Sequence, residues 1–499
     1  MDGVKGSREM RMLLFASIII GAALRLYPYV STRTPFSMDS WGPLRDAFVF
    51  YRDSPIPIDS KEFDGYNNYW PALPLFTAAA ARVLGLNIIA AGALLVPLVS
   101  SLSTVMAYLI ATRLNSPLSV LTALLIAVFF NMAVMGGGAT KEGFAQVLFL
   151  SLLYSVLSNR SLFIIAALSL GLALAHHLTT LTAFAMVAAL TLTRTVLRVS
   201  GKSIELHWEQ PVILLASGLG EFYLLGRRGM PLEISGDLLV SLVSHFTLFV
   251  AMGAWAVLTA KRSNSCLFVF ASALVSLIPV LVVWVQALGI QLVRGVSNLS
   301  QIYVLYAVPY SILVFLAASG WPSNYEALAW LMGVLSLVSF SVFADPPGGA
   351  VLAYRLTSFA FIPLMFLASW DAKKLSRKLL LVVVMAINVA MYILMINGID
   401  ASTGWFWMYS QREVESGRYF ALHASSIYSD VKQCYLLKGF YGLECRVGAP
   451  RGTLYLWESY QSVKGVPVEG GKVNPPLAPL NGMRLYSDGG GALLYVCGC

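Results

Sequence analysis

The sequence predicts a mainly α protein: a polytopic membrane bundle of about thirteen helices, with a small mixed α/β domain at its C-terminus. Three observations predict it. First, the 499 residues are 58% hydrophobic and only 12% charged, where a soluble domain carries about 25% charge. So apolar a chain could not cover its own surface in water, so the bilayer is the solvent for most of it. Second, apolar runs near spanning length recur along most of the chain. Third, residues 397–499 change character, becoming rich in Gly, Pro, Tyr and mixed charge.

The runs fall near 12–30, 88–112, 117–135, 142–158, 161–176, 178–193, 211–226, 237–260, 266–290, 301–319, 326–343, 353–370 and 378–396. The first follows Lys5, Arg8 and Arg11, an order that also suits a secretory signal. It is long for one, and no small-x-small site ends it, so it reads as a retained span. The piece 71–85 carries Pro71, Pro74 and Arg82, and reads as a helix lying at the membrane interface.

The net charge of +9 reads as a topology signal and not a nucleic-acid one, because the basic residues sit mostly at the ends of apolar runs. With a cytoplasmic N-terminus, the inner loops hold Lys5, Arg8, Arg11, Arg113, Arg160, Arg194, Arg198, Lys202, Lys261, Arg262, Lys373, Lys374, Arg377 and Lys378. The short outer loops hold Lys141, Arg227, Arg228, Arg294 and Arg355. That bias follows the positive-inside rule. An odd number of spans then places the C-terminal domain outside the cell. The expected division is 1–396, a transmembrane domain with its first outer loop at 31–87, and 397–499, the extracytoplasmic domain.

Cysteine usage agrees with that side. Cys434, Cys445, Cys497 and Cys499 lie in the tail, and Cys266 alone is elsewhere. On an oxidising face they can form disulfides, with Cys434–Cys445 the more plausible pair. The tail is expected to hold a helix over 410–424, then strands around 432–437, 453–457 and 484–496. Asp488-Gly489 is a hairpin signal within the last of these.

Polar residues gather in the predicted outer loops. The first loop carries Asp39, Arg45, Asp46, Arg52, Asp53, Asp59, Glu62 and Asp64 among many aromatics. Long loops over a membrane bundle are often functional. Asp39, which precedes Trp41 and Pro43, stands within folding reach of the bundle. The second loop, GGGATKEGFAQ at 136–146, can turn tightly on its glycines. It delivers Glu142 to the start of a span, where a carboxylate is costly unless paired, metal-bound or matched to the helix dipole. His176-His177 occupy another outer turn, and either can bind phosphate or metal, or cap the turn. Arg355, beside Tyr354, suits a phosphate or snorkels to the headgroups. Glu221, within 211–226, is the main exception to this gathering at one face. A carboxylate pair with cationic groups on one membrane face suits a lipid-phosphate donor and a hydroxyl or amide acceptor.

Short motifs then carry a resemblance. MDSWGPLR at 38–45 resembles a first-loop acidic motif, NYWPALPLF at 68–76 a Tyr-Pro segment before the second span, and TKEGFAQ at 140–146 the second-loop motif DNEGIAI. In the last, Glu142 and Gly143 match and Thr140 replaces the Asp. Together with the architecture, they resemble GT-C class membrane glycosyltransferases, most nearly the archaeal oligosaccharyltransferase catalytic-subunit family. This chain is divergent: where the family has WWDYG, it has WFWMYS at 405–410, keeping Trp405, Trp407 and Tyr409 without the Asp. GVSNLS at 295–300 aligns with an outer SVSE-type loop, with Asn298 in place of the Glu.

The resemblance implies a glycosyltransferase that moves a sugar from a polyprenyl- or dolichyl-phosphate donor to an acceptor outside the membrane. Asp39 and Glu142 would be catalytic carboxylates, or ligands of a divalent metal (Mg2+ or Mn2+). Arg355, His176, His177, Arg45 and Lys141 would bind the donor phosphate. Trp405, Trp407 and Tyr409 would bind the acceptor, a protein, glycan or lipid. The expected partners are the bilayer and the lipid-linked sugar, with no nucleic acid. The competing readings are a transporter or flippase for lipid-linked sugar, and a non-catalytic paralogue or partner subunit.

Overall fold

A computed structural model of the chain describes residues 2–231, 235–259, 266–290, 303–320, 324–344, 346, 348–370, 374–396 and 407–447, and the strands beyond them. Each of the thirteen apolar runs falls on helix in the described residues. Seven helices are long and apolar enough to cross a membrane: Met10–Thr32, Ile88–Arg113, His177–Val199, Gly236–Thr259, Tyr325–Phe343, Val351–Trp370 and Leu375–Ile396. A bent pair, Ser119–Val128 and Phe130–Gly136, makes up to eight. The chain is a multi-pass membrane protein. The other runs form helices that are shorter or carry charge at their starts, such as Leu162–Ala175 and Lys141–Leu157. The interface piece is the 13-residue helix Ala72–Leu84, ended by Gly85 at φ 66°.

The chain divides into two compact units. The first takes Met1–Ala22, Ser101–Ala133 and Ala145–Met391. Here the His177–Val199 helix is tied to Tyr325–Phe343 by an Arg194–Glu326 ion pair of 3.2 Å. The bent pair breaks at Phe129, whose ring stacks on Phe361 at 3.6 Å. A break inside a bilayer strands backbone N–H groups that must find partners in protein. Asn388 meets that need, its Oδ1 accepting from the Phe130 N–H at 3.0 Å.

The second unit takes Ala23–Ser100, Val134–Phe144 and Tyr392–Cys499, so the boundary expected at 396 lies within its last segment. Its helices Trp41–Asp53 and Ala72–Leu84 pack through an apolar stripe. Trp41, Leu44, Leu73, Val96, Tyr409 and Leu436 share one core, where each buried leucine contributes about 2 kcal/mol.

The C-terminal residues form the mixed region that composition predicts. The helix Gln411–His423 starts on a capping box, Ser410 with Glu413, a pattern that satisfies two helix-end N–H groups reciprocally. The strands are β1 (Ser426–Ser429), β2 (Glu444–Val447), β3 (Thr453–Trp457), β4 (Val466–Pro467), β5 (Val473–Asn474), β6 (Gly482–Ser487) and β7 (Ala492–Cys497). Five make one sheet in the order β2-β1-β3-β7-β6, and β4 pairs with β5. The expected hairpin is present: β6 and β7 pair antiparallel, while Asp488-Gly489 lie outside the described residues. The strand expected at 432–437 is instead the helix Val431–Gly439. Asp430 caps it, accepting from the Gln433 N–H at 2.7 Å, and a run of six residues does not fix its own period. This helix is the crossover that lets β1 and β2 run parallel. Cys434 and Cys445 form the expected disulfide.

Candidate active site

The 34–40 turn carries Asp39. The first helix ends at Thr32, and a short 3-10 turn, Met38–Ser40, precedes the Trp41–Asp53 helix. Asp39 is half-buried. Its N–H donates to Ser37 Oγ at 3.2 Å, and Ser40 Oγ donates to the Phe36 carbonyl at 2.5 Å.

Two other segments of the same unit hold this turn. One follows the last long helix: the Ser37 N–H donates to the Trp407 carbonyl at 2.7 Å, and Thr34 Oγ1 donates to the Tyr409 carbonyl at 2.6 Å. Phe36 stacks on Trp407 at 5.9 Å, and Trp41 meets Tyr409 edge-on at 5.2 Å. The other segment is the glycine-rich loop. A Cβ on Gly138 would overlap the Phe36 carbonyl and lie 2.8 Å from Ser40 Oγ. Glycine there is what lets the second loop lie directly against the Asp39 turn.

That loop then delivers Glu142. Thr140 stands where the resembling family has an Asp, and it caps the helix Lys141–Leu157. Its Oγ1 accepts from the Gly143 N–H at 3.0 Å and donates to the Met135 carbonyl at 2.7 Å, as a good N-cap residue does. Glu142, in the first turn, is 8% exposed, and the helix dipole favours a carboxylate there. The Lys141 ammonium lies 3.8 Å from the Tyr66 ring and 4.7 Å from Trp70, a cation–π arrangement that draws the end of the first loop to the second. Arg25, which sequence reasoning passed over, is fully buried with its Nε 3.3 Å from Ser100 Oγ. A Cβ on Gly136 would lie 2.7 Å from that Nε, so the glycine leaves room for the guanidinium.

Other expected residues take structural places. Arg45 donates to the Glu62 carbonyl at 2.9 Å and the Lys438 carbonyl at 3.2 Å, clamping loop to helix. Tyr409 is 1% exposed, and its hydroxyl donates to the Lys432 carbonyl at 2.7 Å. Burial holds that phenol well above its ordinary pKa. Its ring belongs to the core that holds the site. Lys432 pairs with Glu413 at 2.7 Å beneath it. Trp407 is 9% exposed. Trp405, Arg294 and Asn298 lie outside the described residues.

Asp46 is a carboxyl that the sequence did not single out from its neighbours. It is fully buried, accepting from the Asp64 N–H at 2.8 Å. Burial first, then the charge of Asp64, pushes it up to about 9. Asp64 in turn accepts from the Tyr66 and Asn67 N–H groups at 2.8 and 2.6 Å, shaping the loop that presents Tyr66.

His176, His177 and Arg355 belong to the first unit. His176 stands just before the His177–Val199 helix, with Nδ1 2.7 Å from the Thr179 hydroxyl, and the two imidazoles are 5.1 Å apart. Arg355 is half-buried in the helix Gly349–Trp370. Glu221, 6% exposed, ends the helix Glu209–Glu221 where a π-turn, Phe222–Gly226, begins. The second unit thus brings together Asp39, Arg45, Lys141, Glu142, Trp407 and Tyr409. Among the described residues, no three of His, Cys, Asp or Glu converge as a metal-ligand group.

No family model matches the chain, and no curated protein matches it. Among solved structures it is similar to the arabinofuranosyltransferase AftD from Mycobacteria, at TM-score 0.49 and 11% identity, over 98% of this chain and 40% of that one. It is also similar to ArnT from Cupriavidus metallidurans bound to undecaprenyl phosphate, at TM-score 0.35 and 12% identity, over 97% of both chains. The chain therefore spans about 40% of the length of AftD.

Proposed function

We propose that the protein is a GT-C class membrane glycosyltransferase, moving a sugar from a polyprenyl- or dolichyl-phosphate donor to an acceptor at the outer face. One observation carries it. The Asp39 turn is clasped between the glycine-rich loop that bears Lys141 and Glu142 and the segment after the last long helix. Three stretches distant in sequence converge on one accessible carboxylate, which is the arrangement a group-transfer site needs.

In the proposed reaction, the Asp39 carboxylate takes the proton from an acceptor hydroxyl or amide. The acceptor atom bonds to the sugar's anomeric carbon as the bond to the phosphate oxygen breaks. The polyprenyl phosphate leaves with that electron pair, and cationic groups stabilise its charge. Lys141 supplies such a charge in this unit. Asp39 and Glu142 are the carboxylates that would hold Mg2+ or Mn2+. Two carboxylates completed by water and donor phosphate suit Mg2+, and the ion would neutralise charge on the leaving phosphate. The donor-phosphate role of His176, His177 and Arg355 is decided by substitution: His177→Ala and Arg355→Ala raise the donor concentration for half-maximal transfer.

A cytoplasmic N-terminus and an extracytoplasmic C-terminal region complete the proposal. The Cys434–Cys445 disulfide supports that side, since such bonds persist in oxidising compartments. The resemblance of the motifs implies that donor class, and WFWMYS, without the family's Asp, leaves the acceptor open between protein, glycan and lipid. The test is Asp39→Ala in membranes. Abolished sugar transfer, with insertion and abundance unchanged, is expected. Undiminished transfer removes Asp39 from the chemistry.

A further inference from the structure

Four described non-glycine residues have positive φ: Arg33, Ser37, Asn115 and Asn159. Two are asparagines, which tolerate that region. Arg33 is exposed and follows the C-terminal end of the first helix, a usual place for a left-handed residue. Ser37 differs from all three. It is fully buried, at φ 74°, ψ 136°, a combination that glycine adopts freely and serine does not.

All three polar groups of Ser37 are engaged. Its N–H donates to the Trp407 carbonyl at 2.7 Å, and its own carbonyl accepts from the Ser40 N–H at 3.2 Å. Its Oγ accepts from the Asp39 N–H at 3.2 Å. A glycine would make both backbone bonds without strain. The polar contact that the side chain adds at this position is the bond to Asp39. Strained residues persist where the surroundings over-determine them, and they gather at functional sites.

We propose that Ser37 is a positioning residue for Asp39. Its hydroxyl sets the orientation of the acidic turn, and the Trp407 carbonyl anchors it from the segment after the last long helix. The C-terminal segment then governs chemistry at Asp39 without touching substrate. This rests on the glycosyltransferase proposal above, and deepens it by naming the device that aims the acid.

The experiment compares full-length wild type, Ser37→Gly, Ser37→Ala and Asp39→Ala in nanodiscs. The donor is the pool of lipid-linked sugars extracted from labelled host membranes, titrated to saturation. Ser37→Gly removes both the strain and the hydroxyl. It is expected to melt within about 2 °C of wild type, with half-saturation unchanged and the saturated rate about tenfold to a hundredfold lower. Ser37→Ala keeps the strain and loses the hydroxyl, so melting temperature and rate both fall. A merely structural serine predicts a glycine variant that is equally stable but fully active. A wild-type rate in Ser37→Gly, or a rate loss that only tracks its melting temperature, overturns the proposal. If Asp39→Ala also transfers sugar, the glycosyltransferase role of Asp39 fails, and Ser37's with it. If Asp39→Ala is inactive while Ser37→Gly is not, Ser37 alone is refuted.

Discussion

Asp46→Asn is expected to stabilise the first loop and to flatten its response to pH. Asp46 is fully buried, and its carboxyl is raised from 3.8 to about 9 by burial and by Asp64. Between those two values the folded loop keeps a proton that the unfolded chain has released. Folding then takes up one proton, so stability falls as pH rises, by about 1.4 kcal/mol per pH unit. At pH 7 the gap above 3.8 is about 3 units, a cost of about 4 kcal/mol by the same relation. Asparagine keeps the acceptor for the Asp64 N–H and offers an amide donor to the Asp64 carboxylate, with no proton to take up. Allowing about 2 kcal/mol for a poorer fit of the amide, a net gain of about 2 kcal/mol remains at neutral pH. The assay is hydrogen exchange by mass spectrometry in nanodiscs, on peptides covering 41–53 and 60–70, at pH 6, 7 and 8. After correction for intrinsic exchange, wild-type protection should fall about tenfold per unit. Asp46→Asn should stay level and be the better protected at pH 8. Equal pH slopes in the two proteins, or a less protected variant at pH 8, would refute the buried-proton account.

Three further outcomes are expected. Gly138→Ala places a methyl group on the Phe36 carbonyl, so it should lower stability by about 1–3 kcal/mol and reduce sugar transfer, read by melting temperature and membrane assay. Glu413→Ala deprives a Lys432 ammonium, whose side chain is 2% exposed, of its carboxylate, and should cost about 3–5 kcal/mol, seen as loss of the folded C-terminal region on limited proteolysis. Cys434→Ser with Cys445→Ser opens a bridge spanning 11 residues, which should cost about 3 kcal/mol. In untreated membranes, mass mapping should find that pair oxidised.

The helices were legible because apolar runs of this length have no alternative in a bilayer, and the Ser410–Glu413 capping box and the β6–β7 hairpin follow from local chemistry. Spanning length was less legible. Residues 117–135 read as one run, but the chain bends by 58° at Phe129, a break satisfied by Asn388 from far along the sequence. The 431–439 helix was hidden because a short run suits either period, and the deciding cap, Asp430, sits outside it.

The candidate site was half legible. Asp39 and Glu142 could be named from their loops, and three consecutive glycines signalled a tight turn. What the glycines are for was not visible, since the Phe36 carbonyl that Gly138 meets lies about a hundred residues earlier. Ser37 carried no signal at all, because a positive φ on serine is imposed by tertiary bonds and not by propensity. The packing of Tyr409 and Arg45 was equally hidden: the Tyr409 ring closes the core and Arg45 clamps two backbone carbonyls, contacts that no local pattern announces. Thr140 looked like a lost acid and serves as a helix cap.

Under the proposed function, Asp39 serves a bond-making reaction and not passage of a lipid. The direct measurement uses purified protein in proteoliposomes, a labelled polyprenyl-phosphate sugar and a membrane extract as acceptor source, with polyprenyl phosphate and labelled product both quantified. Wild type should release polyprenyl phosphate in step with new glycoside, and Asp39→Ala should release neither. Movement of intact donor across the bilayer with no glycoside formed, equal in wild type and Asp39→Ala, would contradict it.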